Sequence, residues 1–105
     1  MITGRQRLRN RRAHTLIDFE STMGMRFTCS VSHYPDGRIA ELFIDNHKCG
    51  SSVGTLVRDA AIIFSFAVQH GADPEAIARA LGRDGNGCAL GPIAEALDQI
   101  LAVRP

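Results

Sequence analysis

Six consecutive residues of this 105-residue chain, His47-Lys48-Cys49-Gly50-Ser51-Ser52, set a histidine, a lysine, a cysteine and two serines side by side in one short stretch. They follow an alternating polar–apolar segment and precede a long apolar one, so they occupy a strand-to-helix hinge. A helix start leaves backbone N–H groups without intrahelical partners and carries a partial positive charge, which together attract anions. Gly50 permits close approach of a ligand or backbone, and Ser51 or Ser52 can cap the helix. Lys48, Cys49, Gly50, Ser51 and Ser52 are therefore the candidate ligand-binding residues, with Lys48 as counter-charge to a small anion or a nucleotide phosphate. A tight turn that needs Gly50 and a capping serine for geometry alone explains the same residues. The order is not that of a P-loop, in which the glycines come before the Lys and Ser/Thr.

Cys49, beside Lys48 and a helix start, is also a candidate redox thiol, because nearby positive charge favours the thiolate. The alternative is an inert small residue. Cys29, Cys49 and Cys88 form no C-x-x-C pair, and an odd count fits free thiols better than a disulfide framework. Together with His33, His47 and His70 they supply metal-ligand types without metal-ligand spacing, so no metal site is assigned. No Ser/His/Asp arrangement stands out, and acidic pairs such as Asp18 with Glu20 or Asp73 with Glu75 read as solvated strand positions and helix caps. No catalytic residue is assigned.

The elements that must position the hinge are legible in the periodicity. His14 to Glu20 alternates as a short strand, and Met25, Phe27, Cys29 and Val31 share one face of a second, which turns Cys29 inward. Tyr34-Pro35-Asp36-Gly37 is a turn: proline presets φ and glycine accepts the left-handed conformation that returns the chain antiparallel. Arg38 to Asp45 then forms the return strand, with Ala40, Leu42 and Ile44 on one face and Ile39, Glu41, Phe43 and Asp45 on the other. Ser52 to His70 is predicted as a long helix, with Val53, Leu56, Val57, Ala60, Phe64, Ala67 and Val68 at helical spacing and Ile62, Ile63 and Phe66 on the remaining sides. So apolar a helix is expected to lie on the sheet and to be covered by other helices. Gly71 caps it, and Asp73-Pro74-Glu75 starts a second helix with an inner stripe of Ile77, Ala80 and Leu81. Residues 83–91 read as a loop, and Pro92 opens a third helix with Ile93, Leu97, Ile100 and Leu101 inward. Strands first and helices after imply an α+β domain: a small antiparallel sheet of about three strands, packed on one face by three helices, the first long and central.

At 105 residues the chain is long enough for one domain that buries about two-thirds of the surface its unfolded form exposes. The longest unbroken apolar run, Ala60 to Phe64, is far shorter than a bilayer-spanning helix needs, and no secretory signal is seen, so the expectation is a cytoplasmic protein with no membrane contact. The formal net charge of +1 hides an asymmetry. Arg5, Arg7, Arg9, Arg11 and Arg12 precede every acid, leaving 7 basic against 11 acidic residues and a charge of −4 for the rest. Residues 1–12 thus read as a basic arm, disordered in isolation, and residues 13–105 as the single domain. Such an arm is a candidate for nucleic acid, since clustered arginine neutralises phosphates, although no aromatic residue is interleaved for base stacking. A third reading, of a different class, is a homo-oligomeric structural module that buries Ile39 and Phe43 of the outer sheet face.

From Met25 to Ile100 the chain resembles the TSCPD domain, found near the C-terminal end of adenosylcobalamin-dependent (class II) ribonucleotide reductases and in short stand-alone bacterial proteins. The resemblance lies in Phe43-Ile44-Asp45-Asn46 leading into Lys48-Cys49-Gly50-Ser51, similar to the family's Lys-x-Gly-Ser element. It continues in Gln69-His70-Gly71 at the end of the apolar helix and in Ile93-Ala94-Glu95-Ala96-Leu97. At the signature itself the chain departs: Gly87-Cys88-Ala89-Leu90-Gly91-Pro92 stands where the family writes Thr-Ser-Cys-Pro-Asp. The resemblance implies an accessory module linked to deoxyribonucleotide synthesis and DNA replication, with a nucleotide or a separate reductase catalytic chain as partner. It does not imply a complete reductase, because the radical cofactor, thiyl-forming cysteine, reducing cysteine pair and enclosing barrel do not fit in 105 residues. No cofactor is expected on this chain; adenosylcobalamin is implied only for the full-length reductases.

Overall fold

The computed structural model describes residues 14–21, 24–46 and 52–102. Three strands, β1 (His14–Glu20), β2 (Arg26–His33) and β3 (Ile39–Asn46), are followed by helices α1 (Ser52–Gln69), α2 (Pro74–Ala80) and α3 (Pro92–Ala102). The sheet is antiparallel in the order β1-β2-β3, with Ile17 opposite Cys29 and Cys29 opposite Ile44. The helices lie on one face, so the α+β architecture inferred from the periodicity is the one observed.

Local chemistry explains the boundaries. Gly37, at φ 93°, closes the hairpin turn by donating its N–H to the Tyr34 carbonyl at 2.9 Å. Gly71, at φ 104°, ends α1, while the Ala72 N–H returns to the Ala67 carbonyl at 3.0 Å, which satisfies carbonyls the helix leaves open. Asp73 caps α2 by accepting the Glu75 N–H at 3.1 Å, with Pro74 in the first helical position.

The core is the inner sheet face against the helices: Phe27, Cys29 and Val31 from β2, Leu42 and Ile44 from β3, Val57, Ala61, Phe64 and Val68 from α1, and Leu97 and Ile100 from α3. Phe19 of β1 stacks on Phe27 with ring centroids 5.7 Å apart.

Four expectations are corrected. Ile39 is not on the outer sheet face: the register shifts between Ser32 and His33, so one extra residue of β3 turns Ile39 into the core at 4% exposure. Only Phe43 of the proposed outer pair stays exposed, with Leu16 and Phe43 flanking Ser30 across the sheet. In α2 the buried alanine is Ala78, whereas Ala80 is exposed. In α1 the expected Val57, Phe64 and Val68 are buried, but the rest of the buried set is Gly54, Ala61, Ser65 and Gln69 rather than Leu56, Ala60 and Ala67. Finally, other helices do not cover α1. Leu56 and Ile63 are 68% and 69% exposed, and Phe66 is 47% exposed. By length and apolar composition α1 is the one described helix that could cross a membrane, yet it carries Arg58 and Asp59 and packs along β3.

Candidate functional site

The hinge is described at its two ends. β3 delivers the chain to Asn46, and α1 resumes it at Ser52, an exposed first helical residue. His47, Lys48, Cys49, Gly50 and Ser51 lie outside the described residues, as do Arg5, Arg7, Arg9, Arg11 and Arg12. Of the candidate binding residues, the structure therefore places Ser52 alone. The redox reading of Cys49 and the nucleic-acid reading of the arm fall on positions of which nothing structural is said.

What holds the two ends in place is well defined. At the hinge, Arg58 in the second turn of α1 donates to Asp45 near the end of β3 at 2.9 Å, an exposed pair that a solvent of high dielectric renders weak. Further along, the tie is buried. The Ser65 hydroxyl accepts the Leu42 N–H at 2.9 Å, and its hydrogen lies between the Leu42 carbonyl at 3.0 Å and the Ala61 carbonyl at 2.9 Å. Gln69 donates its side-chain N–H to the Ala40 carbonyl at 2.9 Å. β3 is an edge strand among the described residues, and two polar residues of α1 satisfy the outward N–H and C=O of Leu42 and the carbonyl of Ala40.

A second polar constellation braces the loop after α2. The Arg83 guanidinium grips Asp98 of α3 with two bonds of 2.9 Å and also donates to the Ala78 carbonyl through Nε and Nη2 and to the Gly87 carbonyl through Nη1. This bidentate hydrogen bonding holds the Asp98 carboxyl below the usual carboxylate range, and burial opposes it. In the same loop Asp84 accepts the N–H groups of Asn86 and Cys88 at 2.8 and 2.9 Å, and Arg83 pairs with Ala89. With its donors spent on carbonyls and a carboxylate, Arg83 is a structural clamp for the loop between α2 and α3. An apolar groove of about 230 Å³ runs between α1 and this region, walled by Leu56, Val57, Ala60, Leu81, Pro92 and Ile93.

The remaining sulfur and imidazole groups are dispersed. Cys29 is in the core, where burial, aided by the nearby charge of Asp18, pushes its thiol up to about 11. Cys88 is exposed, and His70, at the end of α1, sets Nδ1 2.8 Å from the Phe66 carbonyl. Among the described residues no group of three or more His, Cys, Asp or Glu side chains could hold a metal ion. The Cys29 environment has a measurable consequence. The unfolded chain releases its thiol proton near the ordinary value of 9.0 while the folded chain keeps it to about 11, so stability falls as pH rises between those values. Urea titrations at pH 8 and 10.5 are expected to show this loss, and Cys29→Val to remove its contribution. An unchanged slope in the variant would show that Cys29 does not cause it.

Compared with models of protein families, with curated proteins and with solved structures, the chain matches none. The likeness to the TSCPD domain rests on the residues quoted above; Ser65, which ties α1 to β3, and Arg83, which braces the loop after α2, were not among them, and Gln69 was quoted there without its bond to Ala40. For Arg83 no local pattern signals its role; for Ser65 and Gln69 the signal was two polar residues four apart within an otherwise apolar helix.

Proposed function

We propose that this chain is a cytoplasmic accessory module of the TSCPD type, which supports deoxyribonucleotide synthesis by docking onto a separate ribonucleotide reductase catalytic chain, with a nucleotide phosphate received at the Lys48–Ser52 hinge. The observation that carries the docking half is the outward face of α1. Leu56, Ile63 and Phe66 stand in solvent on a helix whose opposite side is already committed to the core, and Leu56 also borders the apolar groove. An apolar surface of this kind, rimmed by Arg58 and Asp59, is typical of a protein contact. The same helix begins at the hinge, with Leu56 one turn from Ser52 and Ile63 and Phe66 farther along it.

Calorimetric titration of the chain into a class II reductase catalytic chain tests the docking, and thermal-shift measurements with ribo- and deoxyribonucleotides test the hinge. Expected are saturable binding that Ile63→Asp weakens at least tenfold without lowering the melting temperature, and a nucleotide-dependent shift that Lys48→Ala abolishes. No heat of binding with the catalytic chain would end the docking half. An equal nucleotide shift in the Lys48 variant would end the other.

A further inference from the structure

The face of the sheet turned away from the helices is ordered in rows across the strands. By the register, His14, Ser32 and Glu41 form the first row and Leu16, Ser30 and Phe43 the second. Asp18, Thr28 and Asp45 form the third, and Glu20 with Arg26 the fourth. Leu16 and Phe43 are 69% and 46% exposed, so an apolar row lies open to solvent with Glu41 on one side of it and Asp18, Asp45 and Glu20 on the other. Arg26 stands opposite Glu20, and Arg58 reaches Asp45 from α1 through an exposed and therefore weak pair. Arg38, beyond the first row, is engaged by Asp36 at 2.7 Å. The rows are left with an excess of negative charge.

The first residues of the same chain carry the complementary pattern. Going back from His14, the order is Arg12, Arg11, Asn10, Arg9, Leu8, Arg7, Gln6, Arg5: five arginines, no acid, and a single large apolar side chain among them. We infer that residues 5–12 fold back over this face of their own sheet, with Leu8 on the Leu16–Phe43 row, Arg11 and Arg12 at the Glu41 row, and Arg5 and Arg7 at the acids beyond. The lengths suffice. Along a strand the rows are about 7 Å apart, and neighbouring strands are about 4.8 Å apart. Leu8 is six residues from His14, a reach of up to about 20 Å, and Arg5 is nine residues away, a reach of about 30 Å, against about 20 Å from the first row to the fourth. Asp18 already accepts the Thr28 hydroxyl through one oxygen, and a carboxylate accepts several bonds, so an arginine adds to that arrangement without displacing it.

Two arguments choose this occupant. A face rich in carboxylates repels the phosphates of a nucleic acid. The tether at His14 holds the arm at an effective concentration of about millimolar order, so ion pairs that are weak one by one sum to a docked state, an advantage the arm of a second copy lacks. The arginines that the sequence offers to a nucleic acid are thereby engaged within the chain. This surface is distinct from the outward face of α1 and from the Lys48–Ser52 hinge, so either reading can fail alone.

Nuclear Overhauser contacts between the Leu8 methyl groups and the Phe43 ring are expected in the full chain, and their absence would overturn the inference. Trypsin gives a second readout. Cleavage tracks the population of the open form, so at low salt the chain should be cut after Arg7 and Arg9 at least about tenfold more slowly than a synthetic peptide of residues 1–13. Asp18→Lys and Phe43→Asp, both at exposed positions, should each speed cleavage of the chain at least about threefold, and so should high salt, which screens the ion pairs. Circular dichroism checks that the variants are folded; if Phe43→Asp is not, Asp18→Lys decides alone. Equal rates for chain and peptide, or protection that the folded variants keep, would overturn the inference. So would a dimer in sedimentation whose dissociation abolishes the protection, since the arm would then lie on a second copy.

Discussion

Leu97→Ala is expected to lower the unfolding free energy by about 2–5 kcal/mol, a large share of the roughly 5–15 kcal/mol that holds a domain of this kind together. Leu97 lies at the middle of α3 with no solvent exposure, in the cluster that joins α3 to β2 and α1. Truncation removes its transfer free energy and leaves a cavity that close-packed neighbours cannot fill. Leu56→Ala makes the same chemical change at a position in solvent and should stay within about 0.5 kcal/mol of wild type. Urea titration distinguishes the two: the midpoint should fall sharply for Leu97→Ala alone, at an unchanged slope. Equal midpoints would mean that α3 does not seal the core, and the helical layer as described would be wrong.

The second large effect belongs to the polar tie between α1 and β3. Ser65→Ala is expected to cost about 1–3 kcal/mol, because the hydroxyl is the partner of both the N–H and the C=O of Leu42, and an alanine there leaves buried backbone groups unsatisfied. Gln69→Leu should act in the same sense through the Ala40 carbonyl. Stability alone would not separate this mechanism from lost packing, but amide exchange would. Ser65→Ala should accelerate exchange of the Leu42 amide in particular, while amides of Thr15 and Ile17, which bond to β2, keep their relative protection. Undiminished protection at Leu42 would show that the serine is not its partner.

These residues also explain how far the sequence could be read. Strand alternation, the Pro35-Asp36-Gly37 turn, the Gly71 cap and the Asp73-Pro74 start are local chemistry, and each appears in the structure where its residues place it. Ser65 and Gln69 escaped because a count of apolar residues assigns polar ones to solvent, and their partners are backbone atoms of a strand more than 20 residues away. Ile39 escaped because strict alternation admits no bulge, and one extra residue reverses the face. The covering of α1 was overestimated because α2 and α3 are short and sit to one side of it, touching it less than β3 does. At the candidate site, the hinge was recognisable as a change of period from two to 3.6, and its ends at Asn46 and Ser52 agree with that. The clamp of Arg83 on Asp98 depends on a separation of 15 residues and on the fold of the intervening loop, which no local pattern encodes.

The way α1 is fastened to β3 bears on any guest at the corner between them. Both posts of that doorway hang on the same frame, loosely at Asp45 near the threshold and firmly at Leu42 and Ala40 deeper in. The separation of the two ends, Asn46 and Ser52, is set by that frame.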